Sequence, residues 1–246
     1  MVKKERIIAI GDIHGDLNAL VGILKICDII NDDGYWISQN TIVIQVGDLL
    51  DGERPNIKSE PGFKNSPQEI DLLEYAEYLK RVSNGKFITL LGNHELSEYY
   101  NMRDYVKKSD KDDYYSNYKM SRKQYFTPGK PGAIILSSYK LLYKVGKYLF
   151  IHGSLTPRFM EIVKEGNLSI KDINNNVSLW LKSKKDIPEF LREYNSDNPL
   201  VSRKFSEKRV LDPKECKTLD NYLSYFGAEN LIMAHTIYDN IHTDCK

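Results

Sequence analysis

Five short apolar runs recur along the chain, Ile7–Ile10, Thr41–Val46, Phe87–Leu91, Tyr148–Ile151 and Leu231–Met233, and each ends in a polar cluster. Runs of this length, apolar at successive positions and flanked by glycine, suit strands buried on both faces. Between them the spacing becomes helical. Leu17, Leu20, Val21 and Leu24 fall at i, i+3, i+4 and i+7, with Asp16 where an N-cap belongs. Ser66-Pro67-Gln68-Glu69 forms a capping-box signature with proline at the first helical position, and Leu72, Tyr75, Ala76 and Leu79 continue one face. Asp212-Pro213-Lys214-Glu215 repeats that start, and Gly227 stands where the helix should stop. Ser169 to Lys182 predicts a further helix. Tyr139–Val145 and Tyr148–Ile151, joined around Gly146-Lys147, predict a hairpin. Strands alternating with helices predict an α/β sandwich with a mixed sheet.

Asn101 to Lys130 breaks this rhythm. It is rich in tyrosine, lysine and aspartate, without periodicity, and reads as an insertion between core elements. Tyr114, Tyr115, Tyr118 and Tyr125 are candidates to rim a site and choose substrates, but a solvated surface excursion is the commoner outcome for such a segment.

Composition narrows the class. A chain of 246 residues supports one sizeable core, so residues 1–246 are expected to form a single domain. With 41% hydrophobic and 28% charged residues it is an ordinary globular chain. The net charge is +1 and the basic residues are dispersed, so no nucleic-acid partner is expected. No signal-peptide core and no apolar run of about 18 residues is present, so no membrane partner is expected. Cys27, Cys216 and Cys245 have no metal-ligand spacing and read as reduced thiols, pointing to a cytoplasmic protein.

The candidate chemistry lies just after the strands. Gly11-Asp12-Ile13-His14-Gly15-Asp16 follows the first, Gly47-Asp48-Leu49-Leu50-Asp51 the second, Gly92-Asn93-His94-Glu95 the third, His152-Gly153 the fourth and His235-Thr236 the fifth. α/β folds gather ligands at such strand ends. Four of the five histidines stand in these positions. Imidazole, carboxylate and amide oxygen together suit Mn²⁺, Fe²⁺ or Zn²⁺ better than a thiolate site would. One Gly-Asp-Xaa-His is more often a plain turn than a ligand pair; five such clusters in series are a specific signal.

The series resembles the calcineurin-like metallophosphoesterases, and within them the PPP-type serine/threonine phosphatases of the Shewanella-like branch. The match runs from Ile7 to Thr236. Phe126-Thr127-Pro128-Gly129 and Asn198-Pro199-Leu200-Val201-Ser202-Arg203 are similar to two further segments of that branch. The resemblance implies a four-layer α/β/β/α sandwich and two divalent metal ions. It implies that Asp12 and His14 bind the first metal, that Asp48 bridges both, and that Asn93, His152 and His235 complete the second site. His94, oriented by Asp51, would donate a proton to the leaving group, and Arg203 would hold the phosphate. The implied reaction is direct attack of a metal-bridging hydroxide on a phosphate monoester, in a phosphoprotein or a small phosphoester. Serine, threonine and tyrosine phosphoesters all remain open.

The sequence departs from the family pattern in four places. Asp51-Gly52-Glu53-Arg54 stands where the family has Asp-Arg-Gly, so Arg54 is expected either to reach the phosphate from two positions later or to be a solvated loop residue. Ser154 replaces a glycine after His152-Gly153. Ala234 replaces a glycine before His235, which predicts either conventional or locally adjusted backbone there. The chain also stops ten residues after Thr236, where relatives continue into a further strand, so it is expected to be either naturally short or a fragment. The alternatives are a diadenosine-tetraphosphate-type hydrolase and a catalytically weakened binding module on the same fold.

Overall fold

The computed structural model describes residues 5–53, 68–207 and 210–245. Arg54 and the Ser66-Pro67 helix start lie outside those residues. The expected strands form two three-stranded sheets. In the first, β1 (Arg6–Ile10), β2 (Thr41–Gln45) and β3 (Phe87–Thr89) run parallel, with Ile10 opposite Gln45 and Gln45 opposite Thr89. In the second, β4 (Tyr143–Val145) and β5 (Tyr148–Phe150) make the expected antiparallel hairpin, and β6 (Asn230–Ile232) adds parallel to β5.

Alternation along the strands explains the layering. Ile44, Val46, Ile88 and Leu90 of the first sheet meet Phe150 of the second, with Tyr143, Val145 and Ile232 around them. That apolar seam joins the sheets face to face. The opposite faces, represented by Val43, Phe87 and Leu149, belong to the larger core that takes in the helices. The result is the mixed four-layer α/β/β/α sandwich, and it brings the C-terminal ends of β1, β2 and β3 to one edge.

Helix starts follow the local signals. α1 (Leu17–Ile26) is capped by Asp16, whose carboxylate accepts from the Ala19 N–H, and it buries Leu20 and Leu24. α2 (Glu69–Val82) lays Leu72, Leu73, Ala76 and Leu79 into the core. Three further α-helices fall within residues 108–136: α3 (Lys108–Tyr118), α4 (Arg122–Tyr125) and α5 (Pro131–Leu136). α6 (Pro157–Glu165), α7 (Ile170–Leu181) and α8 (Pro213–Tyr225) complete the set, the last two with capping boxes at Ser169/Asp172 and Asp212/Glu215.

Two expectations are corrected. The stretch 101–130 is not a solvated excursion: Tyr114, Tyr125, Phe126 and Arg122 are buried in it. Its aromatic residues pack on one another, Tyr114 against Tyr125 at 4.9 Å and against Phe126 at 5.5 Å between ring centroids, a cluster that helical periodicity does not encode. The cysteines are not all free either. Cys216 and Cys245 form a disulfide, because the chain after β6 folds back onto the start of α8, which spacing along the sequence cannot reveal; Cys27 is the free thiol. The disulfide removes the basis for reading a reducing compartment from the cysteines. No helix among the described residues is long and apolar enough to cross a membrane.

Candidate metal centre

The turns after the strands converge. Asp12 and His14 follow β1, Asp48 and Asp51 follow β2, Asn93 and His94 follow β3, His152 follows β5 and His235 follows β6. Two glycines make the approach possible. A Cβ on Gly92 would lie 2.1 Å from Asp48 Oδ1, and one on Gly47, itself at φ +88°, would lie 2.7 Å from the Gly92 nitrogen. His14, Asp48, Asp51 and His235 adopt positive φ of 52–66°, a conformation that L side chains adopt at a cost of about 1 kcal/mol or more each. Ala234 keeps conventional backbone, and the turn is made at His235 instead.

Glu95 fastens this loop cluster. Its Oε2 accepts from the Asp48 N–H (2.9 Å) and the Gly92 N–H (2.6 Å), and its Oε1 from the Leu49 (2.7 Å) and Leu50 (3.1 Å) N–H groups. Burial and the Asp48 charge push its pKa up to about 7 against the pull of these donors. The sequence motif contains Glu95 but gives no sign of that task.

The donor atoms then face each other. His152 Nε2 lies 3.1 Å from Asp48 Oδ2, 3.2 Å from Asn93 Oδ1 and 3.2 Å from His235 Nδ1. The opposite ring nitrogens are engaged by backbone carbonyls: His152 Nδ1 donates to Val46 O (2.8 Å) and His235 Nε2 to Val201 O (2.9 Å). In the neutral rings these bonds leave a bare lone pair on His152 Nε2 and on His235 Nδ1. Four acceptors thus point into one space with no proton donor among them, an arrangement that only a cation or a proton relieves. Ligands about 2.1 Å from one ion stand roughly 3.0–3.4 Å apart, so the spacing fits a divalent metal. Beside them, His14 Nδ1 faces Leu50 O (3.2 Å), and His14 Nε2 lies 3.7 Å from Asp12 Oδ2 and 3.8 Å from Asp48 Oδ2. Asp48 is common to both groups.

The charges of the metal-free cluster reflect the same crowding. Burial alone would push the Asp48 carboxyl up, but His152 and His94 beside it hold it down at about 2. Burial opposes charge on His152, yet Asp48 and then Asp12 push its pKa up to about 9. Burial, His152 and Arg203 push His235 down to about 4.

His94 sits beside His14, with ring centroids 4.8 Å apart and its Nε2 3.9 Å from Asp48 Oδ2. Its backbone N–H donates to Asp48 Oδ1 (2.9 Å), its Nδ1 meets Asp51 Oδ2 (2.8 Å), and its ring packs edge-on against Tyr105 at 5.1 Å. Arg203 donates from Nη2 to the His235 carbonyl (3.2 Å), which puts its guanidinium beside the cluster. Arg54 lies outside the described residues. Eight of the nine other expected site residues are buried or half-buried; Arg203 is exposed.

Beneath His94 lies Arg122, which the sequence did not single out. Arg122 is buried against Asp51, Glu69 and Glu98. Burial opposes its charge, but Glu69 and Asp51 outweigh that effect. The available signal was the Ser121–Gln124 capping box, which marks a helix start and not the carboxylates that the helix delivers Arg122 to.

Strand-end turns on a double-sheet sandwich, gathering imidazoles, carboxylates and an amide into two candidate ligand groups that share Asp48, define the metallophosphoesterase class. A family model of the calcineurin-like phosphoesterases matches residues 5–239, and the chain belongs to that family of metal-dependent phosphoric ester hydrolases. It is similar to Shewanella-like protein phosphatase 2 of Arabidopsis thaliana, 28% identical over 285 aligned positions that cover 96% of this chain and 67% of the relative. It is also similar to Shewanella-like protein phosphatase 1 of Plasmodium berghei, 29% identical over 237 positions covering 94% and 61%. Among solved structures, a cold-active protein-tyrosine phosphatase of a psychrophilic Shewanella species shares the fold, with a TM-score of 0.70, 22% identity and coverage of 95% of this chain and 66% of that one. The chain spans about two thirds of the length of these relatives.

Proposed function

We propose that this chain hydrolyses phosphate monoesters at a centre of two divalent cations, with Mn²⁺, Fe²⁺ or Zn²⁺ as the occupants and phosphoserine, phosphothreonine or phosphotyrosine in proteins as the substrate class. Asp12, His14 and Asp48 would hold one cation, and Asp48, Asn93, His152 and His235 the other. The carrying observation is the convergence of Asp48, Asn93, His152 and His235 acceptors at 3.1–3.2 Å around His152 Nε2, with the ring tautomers fixed by Val46 and Val201 carbonyls. Cations bound there supply hydroxide near neutral pH and positive charge for the phosphoryl oxygens.

The chain's own groups do the rest. His94 donates its Nδ1–H to Asp51 Oδ2, which leaves Nε2 to carry a proton to the departing oxygen. An alkoxide is a poor leaving group, so a positioned acid there is worth about 10²–10⁴-fold. Arg203, steadied through the His235 carbonyl, offers its fork to the non-bridging oxygens. Glu95 keeps Asp48 in register without touching substrate.

Reconstitution with each metal, followed by turnover on an aryl phosphate, a phosphopeptide panel and a dinucleoside polyphosphate, tests the reading. Metal-dependent turnover of the aryl phosphate and of phosphopeptides is expected. Turnover of the dinucleotide alone would replace the substrate class, and no turnover of any ester would leave a binding module.

A further inference from the structure

We infer that Arg122 is a positioning residue for the general acid, acting on His94 through Asp51; the inference rests on the phosphoesterase reading above. All five N–H groups of the Arg122 guanidinium have an acceptor. Nε donates to Glu69 Oε2 (2.8 Å), Nη2 to Glu69 Oε1 (2.8 Å) and to Asp51 Oδ1 (2.6 Å), and Nη1 to Ser97 Oγ (3.2 Å) and Glu98 Oε1 (3.1 Å). The group is only 2% exposed, and the rings of Phe126 (5.0 Å) and Tyr114 (5.9 Å) lie over it. A guanidinium held at every corner is a rigid plane.

That plane fixes Asp51. One carboxylate oxygen, Oδ1, is taken by Arg122, which turns the other, Oδ2, toward His94 Nδ1 at 2.8 Å. The Asp51 backbone is fixed by the same assembly, since its N–H donates to Glu69 Oε1 at 2.9 Å. Asp51 therefore has no rotational freedom to release the imidazole, and the imidazole holds its Nε2 toward Asp48 Oδ2, 3.9 Å away, at the edge of the metal centre. Arg122 reaches no reacting atom. It comes from α4, 71 residues away from Asp51 in sequence, and three carboxylates would be left in one buried space without it.

A brace of the fold alone would scale all turnover equally. A device that aims the general acid would matter only where the leaving group needs a proton. The test is a series of phosphate monoesters running from dinitrophenyl phosphate, whose leaving group needs no acid, to an alkyl phosphate, measured on Arg122→Lys and Glu69→Gln. A lysine ammonium keeps the charge but cannot hold Asp51 and both Glu69 oxygens in one plane. The ratio of alkyl to dinitrophenyl turnover is independent of the fraction of protein that is folded, so a poorly folding variant is still informative. The expected result is a fall of about tenfold or more in that ratio in both variants, part of the full general-acid effect, with KM and bound metal per folded chain unchanged. In an Asp51→Asn background Arg122→Lys should change the ratio no further. The His94 Nδ1–H resonance of the metal-free protein, protected by Asp51, should disappear from both variants. An unchanged ratio, or equal losses on both esters, overturns the role of Arg122. A wild type that hydrolyses no ester fails the phosphoesterase reading instead, and the Nδ1–H resonance then decides on Arg122 by itself.

Discussion

Asp48 and His152 form an ion pair in the metal-free protein, and its titration has a defined direction. His152 is raised from 6.5 to about 9, so its contribution to stability is full below pH 6.5 and is lost as pH rises through about 9. Asp48 is lowered from 3.8 to about 2, so its contribution is present above pH 3.8 and lost as pH falls through about 2. A divalent ion entering at neutral pH must displace the His152 proton. Affinity at the site that includes His152 should therefore rise roughly tenfold per pH unit from pH 7 and level off near pH 9, with one proton released at neutral pH as that site fills. Calorimetric titration of Zn²⁺ or Mn²⁺ in buffers of different ionisation enthalpy measures this; a flat profile would contradict it. Gly92→Ala tests the close approach, because its Cβ would meet Asp48 Oδ1 at 2.1 Å. The variant should bind metal at least tenfold more weakly by the same titration. Glu95→Gln places an amide where backbone N–H groups already point, and should lower unfolding free energy by about 1–3 kcal/mol in urea titration.

At this scale the candidate ligands were legible because each stands within a few positions of the end of an apolar run, Asp12, Asp48 and Asn93 directly after a glycine. Glu95 and Arg122 were not, since, the nearby Gly92 aside, their tasks are defined by partners 45–47 and 24–71 positions away. A sequence read without its contacts offers no means of pairing them.

Among the elements, α3 and α4 departed most from expectation. Regular amphipathic spacing announced α1, α7 and α8, each with a side-chain cap on its first turn. α3 buries only Asp110 and Tyr114 along its length, so no stripe is available to read. Its stability comes from the aromatic cluster that Tyr114 makes with Tyr125 and Phe126 and from the charge network under it. Tyr114→Ala should therefore cost about 3–5 kcal/mol in denaturant unfolding, as large-to-small changes at fully buried aromatic positions do. A cost under about 1 kcal/mol would mean that these helices are not packed as described. The hairpin β4–β5 followed the sequence more closely, since turn residues and apolar runs specify it locally, whereas the parallel pairing of β6 with β5 joins segments far apart in sequence and was not announced.

For the molecule as a whole, the α/β sandwich was legible because strands and helices alternate along much of the chain, while its division into two sheets was implied only by the family resemblance. The closure of the chain after β6 was not. The Cys216–Cys245 disulfide closes a loop across 29 positions, and Thr236 and Tyr238 both bond to Ser206 on the way. By the loop-entropy relation such a crosslink is worth about 3–4 kcal/mol. Cys245→Ser should lower the melting temperature, and dithiothreitol should lower the wild type to match it; a melting temperature insensitive to both would mean that the crosslink carries no stability.

The proposal of a paired cationic centre is tested most directly by counting metal. Purified protein reconstituted with Mn²⁺ or Zn²⁺ and freed of excess should hold close to two equivalents per chain, and Asp48→Asn, which weakens the one carboxylate common to both groups, should hold well under one. A wild type that retains less than one equivalent, or an Asp48→Asn variant that retains two, would contradict the account.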